Sequence, residues 1–188
     1  MQRIDPLEPP YDAEAGDQLR AMMPPDIPPI ALFRAFAKNL PMTRAMRGWG
    51  SYELSKELSL GLRAREIVID RTCARCGCEY EWGVHVAYFA DRAQLGSAQL
   101  ASLSHGSPDD ACWTDRRDQL LIGAVDVLHD TSDVPEPLWG QLAAEFSEAE
   151  LLDLLLLCGW YHAISFAARA IRLEPENSAP AFTAAVAS

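Results

Sequence analysis

Basic residues are few in this chain: 16 Lys and Arg stand against 27 Asp and Glu, for a formal net charge of −11. Nucleic acids and anionic membrane surfaces are polyanions held through clustered Lys and Arg, and no basic stripe is present to hold them. Cysteine is sparse too, five in 188 residues, an odd number that leaves at least one unpaired. A chain of this length buries a sizeable core without disulfides or a structural metal. The opening "MQRIDPLEPPYDAEAGDQ" lacks the apolar core of a secretion signal, and no apolar run reads as long enough to span a bilayer. These absences lead us to expect a cytoplasmic protein without nucleic-acid or membrane partners. In a reducing compartment, closely spaced cysteines point to reactivity, redox cycling or metal binding rather than scaffolding.

Alternating apolar patterning is missing as well, so the expected fold is all-α, a multi-helix bundle. Prolines crowd "EPP" at 8–10 and "MPPDIPPI" at 23–30, which marks 1–28 as a proline-rich arm around a short helix from about Asp12 to Met22. Residues 29–174 read as one helical domain and 175–188 as a loose tail. Pro29 and Pro41 each suit a helix start. Ser59 is a candidate cap for a helix ending near Gly77, followed by one from Cys78 to about Arg92. Shorter helices cover "SAQLASL" and "PEPLWGQLAAEF", and a periodic one follows Trp113. Ser147 and Glu150 form a capping box opening a long helix through Arg172. That helix, "LLDLLLLCGWYHAISFAARA", is apolar nearly all round and is expected to be the buried centre.

The stretch "CGCEYEWGVH", residues 76–85, gathers two cysteines, two glutamates and a histidine, although the whole chain has four histidines. At about 100° per residue, Cys78, His85 and Phe89 fall on one helix face, flanked by Glu81 and Trp82. Glu79, Gly83, Ala87 and Asp91 take the opposite side, which suits solvent. A thiol, a carboxylate and an imidazole therefore share the inward face, where they need one another as partners and have perturbed pKa values. That combination marks a functional-site candidate. Cys78 also stands at a helix N-terminus, where the macrodipole favours a thiolate, so a lowered thiol pKa and the highest reactivity of the five are expected.

These residues resemble the carboxymuconolactone decarboxylase and alkylhydroperoxidase D-like proteins, whose signature is a glutamate followed about a dozen residues later by Cys-x-x-Cys-x-x-x-His at a helix start. Here Glu66 lies in "LRAREIVIDR", Cys78 twelve residues on and His85 seven further. The resemblance continues through "WTDRRDQLLIGAVDVLHD" and "GWYHAISFAARAI" and spans roughly residues 27 to 172. It implies the family's helical bundle and homo-oligomers, a dimer, a trimer or a multiple of either; the arm, which carries Ile4, Leu7 and Tyr11 but is too short for a core of its own, is expected to cross a neighbour. In the peroxidase members two cysteines cycle to a disulfide while the glutamate and histidine relay a proton. Carried over, this makes Glu66 the outer relay acid, His85 the base and Cys78 the redox thiol, acting on a hydroperoxide with a dithiol reductant. Glu81 occupies the place of the second cysteine and cannot close a disulfide, which leaves Cys76 or Cys73 to resolve a sulfenic acid. In the decarboxylase members, which work without thiols, Glu81 and His85 would be an acid–base pair acting on a lactone-like carboxylic acid.

Three readings stand: a thiol peroxidase, which the relay spacing favours, an acid–base enzyme, and a non-catalytic helical oligomer. No cofactor and no metal are expected. Cys73, Cys76, Cys78 and His85 offer four zinc ligands by type, but the second close pair of a zinc motif is missing. Tyr161 and His162 are placed as pocket wall, with His162 otherwise a satisfied core histidine. Trp82 joins them as a possible wall, although packing is the default for it and for Tyr80. Cys112 and Cys158 read as small packing residues, His129 as a histidine suiting a helix C-terminus, His105 as solvated, and Glu66, failing catalysis, as an ion-pair partner of Arg63 or Arg71.

Overall fold

A computed structural model describes residues 1–182, and these form nine helices and no strand. α1 (Ala13–Met22) starts where the Asp12 carboxylate accepts the Ala15 amide at 2.8 Å. α2 (Ala31–Phe36) begins two residues after Pro29, and α3 (Leu40–Glu53) carries Pro41 in its first turn. α4 (Leu62–Arg75) and α5 (Glu79–Ala93) form a tight antiparallel pair, and α6 (Ser97–His105), α7 (Arg116–Thr131) and α8 (Glu136–Glu145) lead to α9 (Glu148–Ile171). At the start of α9 the reciprocal Ser147–Glu150 capping box is present.

The centre is α4 rather than α9. α4 is buried without interruption from Arg65 to Cys73 and packs against α5, α6, α7 and α9. Its Arg71 is matched inside the bundle: it holds Asp126 of α7 through two bonds of 2.6 and 2.8 Å and donates to the Leu103 carbonyl at 2.9 Å. α9 buries one side only, leaving Leu152, Leu156 and Phe166 exposed. By length and composition α9 could cross a membrane, contrary to the reading of the bare sequence, yet half of that apolar window is buried inside the bundle.

The α4–α5 turn sets the site. Gly77 adopts φ +64°, a left-handed conformation that glycine tolerates best. The Cys78 amide bonds the Cys73 carbonyl and the Gly77 amide the Ala74 carbonyl, both at 2.8 Å, the paired bonds of a Schellman turn. α5 begins directly afterwards, so the two helices lie close along their whole length.

Two expectations are corrected. Ser59 is not the cap of α4, which Gly61 precedes; Ser59 instead donates its amide to Asp153 of α9 at 2.7 Å. Within the chain, the Arg3 amide of the arm bonds the Ile171 carbonyl at 2.8 Å and the Leu7 amide bonds the Arg34 carbonyl at 3.2 Å. The tail is docked rather than loose over 175–182: Glu176 accepts from the Ala31 amide and the Tyr80 hydroxyl, each at 2.6 Å, and Phe182 stacks on Trp82. Residues 183–188 lie outside the described residues.

Candidate active site

Glu66 of α4 and His85 of α5 meet across the helix pair, with Nδ1 of His85 2.8 Å from the Glu66 carboxylate. The other Glu66 oxygen accepts Arg65 Nε at 2.6 Å, and Arg65 is anchored in turn to the Leu54 carbonyl at 3.2 Å. Neighbours in sequence on a helix do not normally face each other, which is why Arg63 and Arg71 looked the better partners for Glu66. On the far side of the imidazole, Nε2 lies 3.0 Å from the Tyr161 hydroxyl of α9 and 3.6 Å from Glu81.

Burial alone would push the His85 imidazolium to lower pKa, but the flanking Glu66 and Glu81 carboxylates outweigh it and raise the group to about 10. His85 is therefore cationic at neutral pH, donating Nδ1–H to Glu66 and Nε2–H to the Tyr161 oxygen. Burial raises Tyr161 well above its ordinary value, so its own O–H stays in place as a donor. Asp70, one turn along from Glu66, is likewise raised, by burial first and by Glu66 second.

Glu81, His85 and Tyr161 are the ionisable floor of a cavity of about 380 Å³. Its walls are apolar, with Met23, Phe33, Phe36, Phe89, Trp160 and Ile164 among them, and Arg47 adds a guanidinium to its lining. One Glu81 oxygen, Oε2, is buried and has no hydrogen-bond partner.

The cysteines stand apart from this cavity. Cys78 does precede α5, but its thiol is 1% exposed, caps no amide of the first turn and does not line the cavity. Its pKa is pushed up to about 11, burial outweighing the nearby Glu81 amide, which reverses the lowered value expected from the helix dipole. Cys73 and Cys76 are also raised by burial, and the Ser165 hydroxyl of α9 lies among all three thiols. Of the three wall candidates only Tyr161 lines the cavity; Trp82 packs under the tail, and His162 turns toward His129. Gly83, assigned to solvent, is buried beneath the tail, where a Cβ would come within 2.6 Å of the Pro180 carbonyl oxygen.

The structure thus joins Glu66, His85, Glu81 and Tyr161 in one chain of contacts and leaves Cys73, Cys76 and Cys78 behind it. Sequence reasoning missed Arg65 as the brace of Glu66 and placed Tyr161 only as wall. It also missed that α1, α2 and α3 supply much of the cavity. A local signal for the last existed in the methionines and phenylalanines of "AMMPPDIPPIALFRAF", more apolar than a free arm requires.

No family model and no curated protein matches the chain. A solved structure of an uncharacterized peroxidase-related protein from Silicibacter sp. TM1040 is similar to it, with a TM-score of 0.79 and 16% sequence identity over 96% of this chain and 95% of that one. At that identity the likeness shows the fold: this chain has the helical architecture of that peroxidase-related protein.

Proposed function

We propose that the chain is an acid–base enzyme acting on a small, mostly apolar molecule whose reacting carbon adjoins a carbonyl or carboxyl group. The observation that carries this reading is the buried, unpartnered Glu81 Oε2 on a residue that lines an apolar cavity beside His85 and Tyr161. A buried acceptor without a partner is costly, and a substrate C–H or O–H supplies one. Glu81 takes the proton from carbon. The electron pair moves onto the substrate oxygen, which accepts a hydrogen bond from the Tyr161 O–H. The cationic His85 beneath Tyr161 strengthens that donor, and Glu66 with Arg65 holds the imidazole in place. Return of the proton to another carbon completes an isomerisation. With a lactone-like acid, Glu81 takes the carboxyl proton instead, loss of carbon dioxide leaves the same oxyanion, and Glu81 returns that proton to the carbon. Arg47 supplies a cation for a carboxylate elsewhere on the substrate.

A panel of small oxo-acids and lactone acids, followed in D2O by NMR, tests the reading as C–H exchange or consumption. Glu81→Gln is expected to lower the rate by ~10²–10⁴ and Tyr161→Phe by ~10²–10³, with Cys78→Ser near wild type. A fully active Glu81→Gln protein overturns it.

A thiol peroxidase is the second reading, favoured by the gathering of Cys73, Cys76 and Cys78 around Ser165 next to the relay. The Cys78 thiolate would attack a hydroperoxide oxygen, giving a sulfenic acid and an alcohol. Cys76 or Cys73 would condense with it to a disulfide and water, and an external dithiol would reduce the disulfide. Burial and the raised pKa of Cys78 weigh against this route. Loss of hydroperoxide consumption in Cys78→Ser, with Glu81→Gln unaffected, would establish it over the first.

A further inference from the structure

Away from the cavity, the C-terminal ends of α4 and α7 meet the middle of α9, and three side chains of metal-ligating type converge there. Cys76 is the buried residue at the end of α4, His129 belongs to the last turn of α7, and His162 projects from α9. The donor atoms all lie within 4.8 Å of one another: His129 Nδ1 is 2.9 Å from His162 Nε2 and 4.0 Å from Cys76 Sγ. None of the three lines the cavity that holds Glu81.

The histidine tautomer is set by its surroundings. His162 Nδ1 lies 2.8 Å from the Cys158 carbonyl oxygen, which accepts hydrogen bonds only, so Nδ1 carries the proton and Nε2 presents a lone pair toward His129. A backbone carbonyl behind an imidazole is the usual arrangement that orients a ligating histidine. Each ligand comes from a different helix, and Cys76 is fixed beside the Schellman turn, with its carbonyl held by Arg169 at 2.6 Å. The three donors are therefore placed by the fold rather than by flexible loops.

We propose that Cys76, His129 and His162 form a binding site for a divalent cation of the zinc class. One thiolate with two imidazoles is a borderline-soft donor set that suits zinc and excludes magnesium and calcium, which take oxygen ligands. Three protein ligands leave a fourth tetrahedral position, and because both imidazoles are partly exposed that position faces water. The set differs from the four ligands that the sequence suggests by type, since Cys73, Cys78 and His85 take no part.

Cobalt(II) is the probe, because a thiolate ligand gives it a near-ultraviolet charge-transfer band and tetrahedral geometry gives intense visible bands. The full chain, stripped with a chelator and kept reduced, is titrated with Co²⁺ and the cobalt is then displaced with Zn²⁺. One equivalent with both spectral features is expected. Cys76→Ser should abolish the charge-transfer band, and His129→Gln or His162→Gln should weaken binding beyond the ~10–100-fold that loss of a group behind a ligand costs. Cys78→Ser should leave the spectrum unchanged. Circular dichroism identifies any variant that fails to fold, and the remaining two then decide. Absence of a thiolate band in the wild type, its survival in Cys76→Ser, or its loss in Cys78→Ser overturns the proposal.

Discussion

At the scale of single residues, the site is governed by which charges the bundle tolerates inside. His85 is held cationic up to about pH 10, against an ordinary value of 6.5. A group raised in the folded state stabilises fully below its unfolded pKa, and that contribution is lost as pH climbs toward the folded value. Stability should therefore fall from about pH 6.5 upward. Thiols reach half-titration only near ~8.5, so the difference between wild type and His85→Gln across that interval reports His85. Urea midpoints measured across that interval are expected to decline for the wild type and to stay level for His85→Gln. A wild-type midpoint that rises with pH would refute the ion cluster. Thiol reactivity follows from the same burial. The Cys78 thiol, 1% exposed and raised to about 11, should be alkylated slowly at neutral pH, after the half-buried Cys112. Mass spectrometry of a short iodoacetamide time course reads the order directly, and early labelling of Cys78 would restore the dipole argument that burial displaces here.

At the scale of elements, the tail is the part of the fold most open to a single change. Gly83 lies under Ala179 and Pro180, with no room for a methyl group at 2.6 Å from the Pro180 carbonyl oxygen. Gly83→Ala should therefore lift residues 176–182 off α5 and release the Glu176 bonds to Ala31 and Tyr80, while the helix itself gains propensity by ~1 kcal/mol. Hydrogen exchange is expected to rise at the Ala31 amide and to remain slow along α4; unchanged exchange at Ala31 would mean that the tail gives way without undocking. Local signals were legible in the sequence. The Ser147–Glu150 box, the proline starts and the Gly77 stop are fixed within one turn of chain, and each is present. Ser59 was not legible as a partner of Asp153, because the two are 94 residues apart and no period links them. The Glu66–His85 spacing could be read through the family resemblance. The direction of Cys78 could not, since it depends on how α9 brings Ser165 over the α4–α5 turn.

At the scale of the whole molecule, α9 leaves one question of partnership. Leu152, Leu156, Gly159, Ala163 and Phe166 are exposed along one stripe at alternating spacings of four and three, the repeat by which helices pack side by side. Leu152, Leu156 and Phe166 are 62, 53 and 65% exposed, a costly arrangement for large apolar groups beside two small residues that permit close approach. The family resemblance implies homo-oligomers, and this stripe is the surface on which a second copy is expected to pack. With a net charge of −11, two copies repel at long range, so association has to rest on apolar contact and should strengthen with added salt as that repulsion is screened. Light scattering at micromolar concentration is expected to give a multiple of 20.7 kDa for the wild type. Leu156→Asp or Phe166→Asp should shift it to the monomer mass with little change in thermal stability of the monomer, because neither side chain is part of the core. A wild type that is already monomeric, or an aspartate variant that keeps the wild-type mass, would remove the stripe as the contact.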